Sequence, residues 1–315
     1  MRVIFFGTSE FAVPCLEQLG AAGHDVVQCV TQPDRPQGRG LAPEPSPVKR
    51  AAIRLGLSVA QPERLEDGQF EGFDADVGVA VAYGQLIPGE FLGLPRHGVL
   101  GVHPSLLPKY RGAAPVAWAI LNGETVTGVT IFRLTKRLDA GQILSRQVTP
   151  IAPGEIADVL TQRLAQVGAE ELVRALTALA DGRARFEPQD ESQASLAPKL
   201  TKAQGLIAWD QPAEAIERLV RATQPWPGAS TTWRGHSLKI FTASVDTATV
   251  LRGTAPGTVL GVSSEALRVA TGQGTLAVRE VQMAGKRRMN VKEFLAGHHI
   301  EVGDCFGAGD RRQET

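Results

Sequence analysis

Residues 98–115 read GVLGVHPSLLPKYRGAAP, and this stretch decides the fold prediction. The apolar run at residues 99–102 is typical of a buried strand, and it ends at His103, which a proline-bounded loop follows. Open α/β sheets bind their ligands beside the carboxyl ends of their strands. The sequence therefore predicts an α/β domain with a titratable imidazole at the ligand-binding edge of its sheet.

The segments that precede this stretch support the α/β prediction. Residues 2–6 and 25–31 are strand candidates, and residues 77–81 are almost wholly apolar, as a parallel strand buried on both faces should be. Apolar residues at helical spacing follow Gly7, which completes a strand-helix unit. The turn GTSEFA has one glycine where a dinucleotide fingerprint needs three, so a dinucleotide site is not expected there.

Residues 33–47 form a proline-rich stretch with five prolines and two glycines, which predicts a long loop. Loops of this length without structure of their own are often functional. Ser46 and Pro47 then have the residue types of a helix cap and a first helical position, so a short helix is expected after the loop.

The second half of the chain changes character. Residues 155–180 predict one long amphipathic helix that Gly182 closes. One further helix and five short strand-like runs separated by glycine-containing turns follow, which is typical of a small barrel. The predicted organisation is a catalytic domain at 1–188, a polar linker at 189–205, a smaller β-rich domain at 206–302 and a loose tail at 303–315.

Composition narrows the class of protein. With 315 residues and 43% hydrophobic content the chain is long enough for two folded domains, and its 33 basic and 33 acidic residues neither demand nor exclude an anionic partner. Three widely separated cysteines fit reduced thiols better than disulfides or a zinc site, so no metal is expected. No apolar run approaches the length of a membrane span, and a cytoplasmic protein without membrane contact is predicted.

A lone histidine at a strand end is more often structural than catalytic, but His103 has a candidate partner. The strand-like run at 128–134 leads into the loop LDAGQIL at residues 138–144, whose Asp139 could lie beside the imidazole, where a carboxylate would orient it and raise its basicity. No serine or cysteine lies in a recognisable nucleophile turn. Direct transfer onto an incoming amine is therefore favoured over a covalent enzyme intermediate.

The combination of HPSLLPKYRGAAP with LDAGQIL resembles the folate-dependent formyltransferase family in residue type, order and spacing. Further segments resemble the branch of that family that acts on methionyl-tRNA: TQPDRPQGRG, PSPVK, AYGQLIP, RGAAPVAWAILNGETVTGVTI, LTKAQGLIAWD and ATQPWPGA. The resemblance implies a Rossmann-like amino-terminal formyltransferase domain and a smaller OB-like carboxyl-terminal barrel that binds tRNA. It also implies transfer of a formyl group from 10-formyltetrahydrofolate to the α-amine of methionine on initiator tRNA.

The resemblance also implies roles for single residues. His103 is expected to be the acid/base residue, with Asp139 as the carboxylate that orients it and assists proton removal. The remaining expectations are a folate-binding segment at Ser105, Leu106, Leu107 and Pro108, a pterin-slot wall at Ile87, and tRNA contacts from Arg35 and Arg39. Lysines often follow GRG in the family, whereas LAPE follows it here, which bears on the strength of the tRNA contact.

Position 101 departs from the family pattern. The family reads Asn-Val-His where this chain has Gly101, Val102 and His103, and the asparagine side chain is the donor that steadies the developing oxyanion. Glycine has no such group, and removing one such donor typically costs about 10²–10³ in rate. The chain is thus a weakened enzyme, a mutated form of an active one, or a variant in which water or a backbone N–H replaces the donor.

Two other functions stay open on the sequence. The HPSLLP and Asp-x-Gly cores are shared with formyltransferases that act on other small amines, such as a glycinamide ribonucleotide or an aminosugar. A catalytically silent protein that binds folate and tRNA is the alternative outside enzymes. A monomer is expected. Residues 206–300 contain eleven basic and seven acidic side chains, including Lys286, Arg287 and Arg288, which suits docking on an RNA backbone.

Overall fold

The computed structural model describes residues 1–37, 42–66, 74–246 and 253–307. It divides the chain into two compact units. The first contains residues 1–115, 126–151 and 159–198, and the second contains residues 116–125, 152–158 and the described residues from Lys199 onward. Both units differ in their bounds from the single cuts that the sequence analysis predicts, because two short internal segments group with the second unit.

The first unit is built on a seven-stranded sheet in the order β5-β2-β1-β6-β7-β8-β9. Strands β5, β2, β1, β6 and β7 run parallel to one another, whereas β8 pairs with β7, and β9 with β8, in antiparallel orientation. A separate hairpin of β3 and β4 lies outside this sheet. The strands are β1 (Arg2–Gly7), β2 (Asp25–Val30), β3 (Arg35–Gln37), β4 (Ala42–Glu44), β5 (Val59–Ala60), β6 (Val77–Val81), β7 (Val99–His103), β8 (Val126–Arg133) and β9 (Ile143–Pro150).

Four α-helices precede residue 181 among the described residues: α1 (Val13–Ala21), α2 (Pro47–Arg54), α3 (Pro115–Leu121) and α4 (Ala157–Ala180). The long helix α4 confirms the prediction from apolar periodicity, since its leucines at 160, 164, 172 and 176 are fully buried. Gly182 ends this helix with φ +68°, a left-handed conformation that glycine adopts without steric cost. Ser46 caps α2 as predicted, because its side chain accepts a hydrogen bond from the backbone N–H of Lys49.

The central strands are buried on both faces. Every residue of β7 is buried, and so are all residues of β1 except Arg2. Burial of one aliphatic side chain stabilises a fold by roughly 1.5–3 kcal/mol, so a parallel sheet of this kind is held chiefly by its apolar strands. The predicted α/β architecture of the amino-terminal domain is confirmed, and β7 with His103 at its end lies inside the sheet between β6 and β8.

The second unit is β-rich, as predicted. Its antiparallel sheet has the order β10-β11-β14-β13-β12, with β15 paired to β14, and its buried core includes Trp209, Trp233 and Phe294. Within the described residues, β10 and β12 are the two end strands of this order. The elements are α5 (Ala213–Ala222), β10 (Ala229–Trp233), β11 (His236–Asp246), β12 (Val259–Val262), β13 (Leu267–Ala270), β14 (Thr275–Met283), β15 (Met289–Asn290) and α6 (Val291–Gly297).

Residues 303–307, which the sequence analysis assigns to a loose tail, are packed in the second unit. The backbone N–H of Val259 donates to the carbonyl of Asp304 at 2.7 Å, and that of Phe306 donates to Gly257 at 2.8 Å. The Phe306 ring is buried and stacks on Trp209 with 5.7 Å between ring centroids. A buried aromatic ring outweighs the glycine-rich composition of this segment. Residues 308–315 of the predicted tail lie outside the described residues.

No helix in the described part of the chain is both long enough and apolar enough to cross a lipid bilayer.

Candidate active site

The imidazole of His103 is buried at the carboxyl end of β7, with 6% of its surface exposed. Its Nε2 atom lies 2.8 Å from the backbone carbonyl oxygen of Tyr110. A carbonyl oxygen can only accept a hydrogen bond, so Nε2 carries a proton. In the neutral ring the lone pair is therefore on Nδ1, which makes Nδ1 the basic atom of this histidine.

The carboxylate of Asp139 faces that basic atom. Its Oδ2 lies 3.8 Å from Nδ1 of His103 and accepts a hydrogen bond from the backbone N–H of Gly112 at 2.8 Å. Burial lowers the pKa of His103 below its ordinary value, while the charge of Asp139 and the Tyr110 carbonyl oppose this shift. The imidazole is thus neutral near pH 7, and a proton that it takes up on Nδ1 lies beside a carboxylate.

Gly101 lies on the same face of β7 as His103, because side chains alternate along a strand and the two positions are two residues apart. A Cβ atom added at Gly101 would lie 2.5 Å from Cδ1 of Leu134 and 2.6 Å from Cε1 of Phe132. Side chains of the neighbouring strand and loop therefore occupy the space directly above the glycine. The space that a side chain at position 101 would need is filled with apolar groups.

The loop after His103 is held by internal hydrogen bonds. The Thr130 hydroxyl donates to the carbonyl of Ser105 at 2.7 Å and accepts from the backbone N–H of Leu107 at 3.1 Å. The Ser105 hydroxyl donates to the carbonyl of Lys109 at 2.6 Å, and Nε of Arg146 donates to that of Leu107 at 3.0 Å. The predicted folate segment is consequently a rigid loop whose polar groups are directed at the protein itself.

The side chains predicted to contact folate differ in exposure. Ser105, Leu107 and Pro108 are buried, whereas Leu106 is half-buried. Ile87 is also half-buried and packs against the same cluster of buried residues as Leu134, which contacts the space above Gly101. The structure therefore places Ile87 in the neighbourhood of the histidine face of β7, and Leu106 is the partly accessible one of the four predicted residues 105–108.

The predicted loop at 33–47 contains a β-hairpin, so the expectation of a long irregular segment was wrong for β3 and β4. Arg35 lies on β3, opposite Glu44 on β4, and is exposed. Arg39 lies outside the described residues. At the base of the hairpin Asp34 accepts a hydrogen bond from Nζ of Lys49 at 2.7 Å, and a second one from Gln61 also at 2.7 Å. These bonds lower the pKa of Asp34.

Among the described residues, no cluster of three or more His, Cys, Asp or Glu side chains is arranged so that it could hold a metal ion. Burial raises the pKa of both the Cys15 and the Cys29 thiol to about 12. The buried cysteines therefore stay protonated and unreactive.

Comparison with known protein families gives one match for each of the two parts of the chain. Residues 1–176 match the formyl transferase family, and residues 199–299 match the formyl transferase C-terminal domain. The chain belongs to the formyl transferase family.

Individual relatives within and around this family cover nearly the whole chain. The chain is 48% identical over 313 residues to a methionyl-tRNA formyltransferase of Solibacter usitatus, which spans 98% of this chain and 99% of the relative. It is 45% identical over 312 residues to the protein of that name from Roseiflexus castenholzii, again over 98% and 99%. A crystal structure of HypX from Aquifex aeolicus in complex with tetrahydrofolic acid is similar with a TM-score of 0.64 at 20% identity. It covers 96% of this chain, which spans half of that longer protein.

Several groups that contact or support His103 and Asp139 could not be recognised from the sequence. The Tyr110 carbonyl, which fixes the protonated nitrogen of His103, is a backbone atom. Arg111, the next residue, is buried and bonded to Gln189 and Glu191. Both of those residues lie in the predicted linker, where a polar composition without periodicity gave no signal for a role in the site.

Proposed function

We propose that the chain transfers the formyl group of 10-formyltetrahydrofolate to the α-amine of methionyl initiator tRNA. The observation that carries this proposal is the pairing of His103 with Asp139 at a distance of 3.8 Å. It is supported by 48% identity to a methionyl-tRNA formyltransferase over nearly the full length of both chains. A neutral buried imidazole beside a carboxylate is suited to accept the proton of an attacking amine.

In the proposed reaction the amine nitrogen attacks the formyl carbon, so that a new C–N bond forms and the carbonyl oxygen becomes an oxyanion. The amine proton passes to Nδ1 of His103, and the carboxylate of Asp139 stabilises the resulting imidazolium. The bond between the formyl carbon and N10 of the folate then breaks. The departing nitrogen takes up a proton, and the imidazolium can supply it, which returns His103 to its neutral form.

We infer that the folate lies against the loop at 84–88 and the rigid HPSLLP loop. Leu86 is 88% exposed, and Ile87 beside it is half-buried. Leucine side chains are rarely left this exposed without a reason, although single ones occur, and two neighbouring apolar side chains fit a flat pterin ring. Leu106 would contact the same ligand from the other loop, while Ser105, Leu107 and Pro108 fix the shape of that loop.

For the tRNA we propose the β3–β4 hairpin as the main contact, with Arg35 and Arg39 pairing with phosphates of the acceptor end. A guanidinium group binds phosphate in a bidentate manner, and the exposed Arg35 is available for it. The basic cluster of the second unit contributes less, because Arg287 is paired with Glu293 at 2.7 Å and Arg288 is paired with Glu280. Charges that are already paired attract an RNA backbone weakly.

A second candidate is a protein that binds folate and tRNA without turnover. Gly101 and the apolar side chains of Leu134 and Phe132 above it favour this function, because no side-chain donor at that position can stabilise the oxyanion. Both candidate functions predict that the chain binds folate and tRNA. Only the first predicts that the bound chain transfers the formyl group.

The test is a formylation assay with 10-formyltetrahydrofolate and charged initiator tRNA, in which His103→Ala and Asp139→Ala are compared with the unchanged chain. Each variant is expected to lose about 10²-fold or more in kcat while its circular dichroism spectrum is retained. Undiminished transfer in either variant would refute the role given to that residue. An aminosugar and glycinamide ribonucleotide serve as alternative acceptors, and faster transfer to one of them would overturn the tRNA assignment. Ligand binding without measurable transfer would favour the second candidate.

A further inference from the structure

The segment between α4 and α5 pairs with the loop that follows the catalytic histidine. We call residues 187–197 the brace. Within it, Ser195 accepts a hydrogen bond from the N–H of Arg111 at 2.8 Å, and the N–H of Ala197 donates to the carbonyl of Arg111 at 2.7 Å. The Ser195 hydroxyl accepts from the N–H of Tyr110 at 2.9 Å. Tyr110 is the residue whose carbonyl bonds to His103, so the brace fixes the main chain that orients the imidazole.

Gln189 connects the brace to the aspartate loop. Its amide nitrogen Nε2 donates to the carbonyl oxygens of Asp139 and Gly141, both at 2.8 Å. Its amide oxygen Oε1 accepts from Nε and Nη2 of Arg111, at 3.1 and 2.7 Å. Both amide protons are therefore used on one loop and the amide oxygen on the other, so one side chain joins the two loops that carry the reacting pair.

Arg111 is fixed at both ends of its guanidinium group. It makes a bidentate pair with Glu191, with both N–O distances at 3.1 Å, in addition to its bonds with Gln189. The residue after it, Gly112, donates its backbone N–H to the Asp139 carboxylate. A fixed Arg111 thus fixes the donor that positions the carboxylate, since the two residues are adjacent in the chain.

Asp139 itself needs this support. Its φ of +47° lies in the left-handed region, which is unfavourable for a residue with a side chain. Gln189 binds the main chain of Asp139 and Gly112 binds its side chain, so the unfavourable conformation is held from both directions. Without the amide of Gln189, the main chain that carries the carboxylate loses its hydrogen bonds at Asp139 and Gly141.

We propose that Gln189 is a positioning residue of formyl transfer, which holds Asp139 opposite Nδ1 of His103 by joining the aspartate loop to Arg111. This inference rests on the proposed function for its effect on rate, but the predicted effect on the geometry of the pair is independent of turnover.

The variant for the test is Gln189→Met, which keeps the length of the side chain and removes both its donors and its acceptor. The matched control is Gln193→Met in the same segment, because Gln193 is exposed and its side-chain amide donates, within the described part of the chain, to the nearby Asp190 at 2.7 Å. In the formylation assay Gln189→Met is expected to lower kcat about tenfold or more, with the KM values for tRNA and folate within about twofold, since misplacement of a catalytic group impairs the reaction more than binding. The control is expected to retain the unchanged kcat.

A second measurement separates this inference from the proposed function. The titration of the His103 ring is followed by NMR in the unchanged chain and in both variants. The charged groups around the pair are Asp139, Arg111, Glu191 and Arg137, and neither variant alters their number. The Asp139 charge raises the pKa of His103 against the effect of burial, so a carboxylate that has moved away should leave that pKa lower.

A lowered pKa of His103 in Gln189→Met and an unchanged one in Gln193→Met would support the inference even if the chain transferred no formyl group. An unchanged His103 titration in a folded Gln189→Met protein would overturn it. If Gln189→Met does not fold, Gln189→Asn replaces it, because the shorter amide keeps its polarity but cannot reach both carbonyls and Arg111. The same shift is expected in that variant, and its absence would again overturn the inference.

Discussion

At the scale of single residues, position 101 sets the packing beside the histidine, and we propose that it also limits the rate of formyl transfer. Glycine there permits Phe132 and Leu134 to lie directly against β7, where any larger residue would meet them. Glycine also leaves the position without the amide donor that the resemblance to the family predicts. An asparagine there would require these two apolar side chains to move.

Gly101→Asn and Gly101→Ala separate these two effects. Both variants add a Cβ that presses on Leu134 and Phe132, which we expect to cost roughly 1–3 kcal/mol of stability. Only the asparagine adds a donor for the oxyanion, so only Gly101→Asn should raise kcat for formyl transfer, by about 10²–10³. The measurements are urea unfolding and the formylation assay. An equal gain in the alanine variant, or no gain in a folded asparagine variant, would contradict the role assigned to this position.

At the scale of elements, sequence patterns predicted the features that side-chain periodicity encodes. The buried strand before His103 follows from a continuous apolar run, and the amphipathic helix α4 follows from apolar residues at spacings of three to four. The hairpin of β3 and β4 was missed because its prolines are atypical of strands. Helix α6 was missed although Asn290 and Glu293 form a capping box that the sequence contains.

In the candidate active site, too, some residues could be predicted from the sequence and others could not. His103 and Asp139 could be proposed from residue type and spacing, because an imidazole and a carboxylate are recognisable as chemical groups. The Tyr110 carbonyl and the contacts of Gln189 could not, since a backbone atom has no signature and Gln189 reaches its partners 48 and 50 residues away through the fold. Tertiary contacts of this kind require the structure.

The hairpin gives the prediction at this scale. Lys49 on α2 binds Asp34 at the base of the hairpin, and this partly buried ion pair anchors the start of the hairpin to helix α2. Lys49→Met is expected to raise the KM for tRNA about two- to fivefold with kcat unchanged, because such pairs contribute up to about 1 kcal/mol. Steady-state kinetics measure both constants.

The control for that measurement is Arg54→Met, which removes another ion pair of the same helix, with Glu17 at 2.5 Å. It should leave the KM for tRNA unchanged. An equal rise in KM in both variants would show that the stability of α2, and not the anchoring of the hairpin, sets tRNA affinity.

At the scale of the whole molecule, the described end of the chain is part of the second unit. Phe306→Ala should lower the free energy of unfolding by about 3–5 kcal/mol, because it deletes a buried ring that stacks on Trp209. The control Val302→Ala removes an exposed side chain nearby and should change the stability by less than about 0.5 kcal/mol. Urea unfolding of the full chain measures both. Equal free energies of unfolding for the two variants would show that residues 303–307 do not contribute to the folded second unit.

The brace also limits how this protein can be divided or recombined. Its contacts with the histidine and aspartate loops come from residues 187–197, which follow the formyl transferase match at residues 1–176. An amino-terminal part cut at that boundary, or exchanged between relatives there, would lose the residues that hold the loops of His103 and Asp139. An excised amino-terminal part has to extend to about residue 198, where the last segment of the first unit ends. An exchange between relatives that leaves these contacts intact is then limited to the part of the second unit that begins at Lys199.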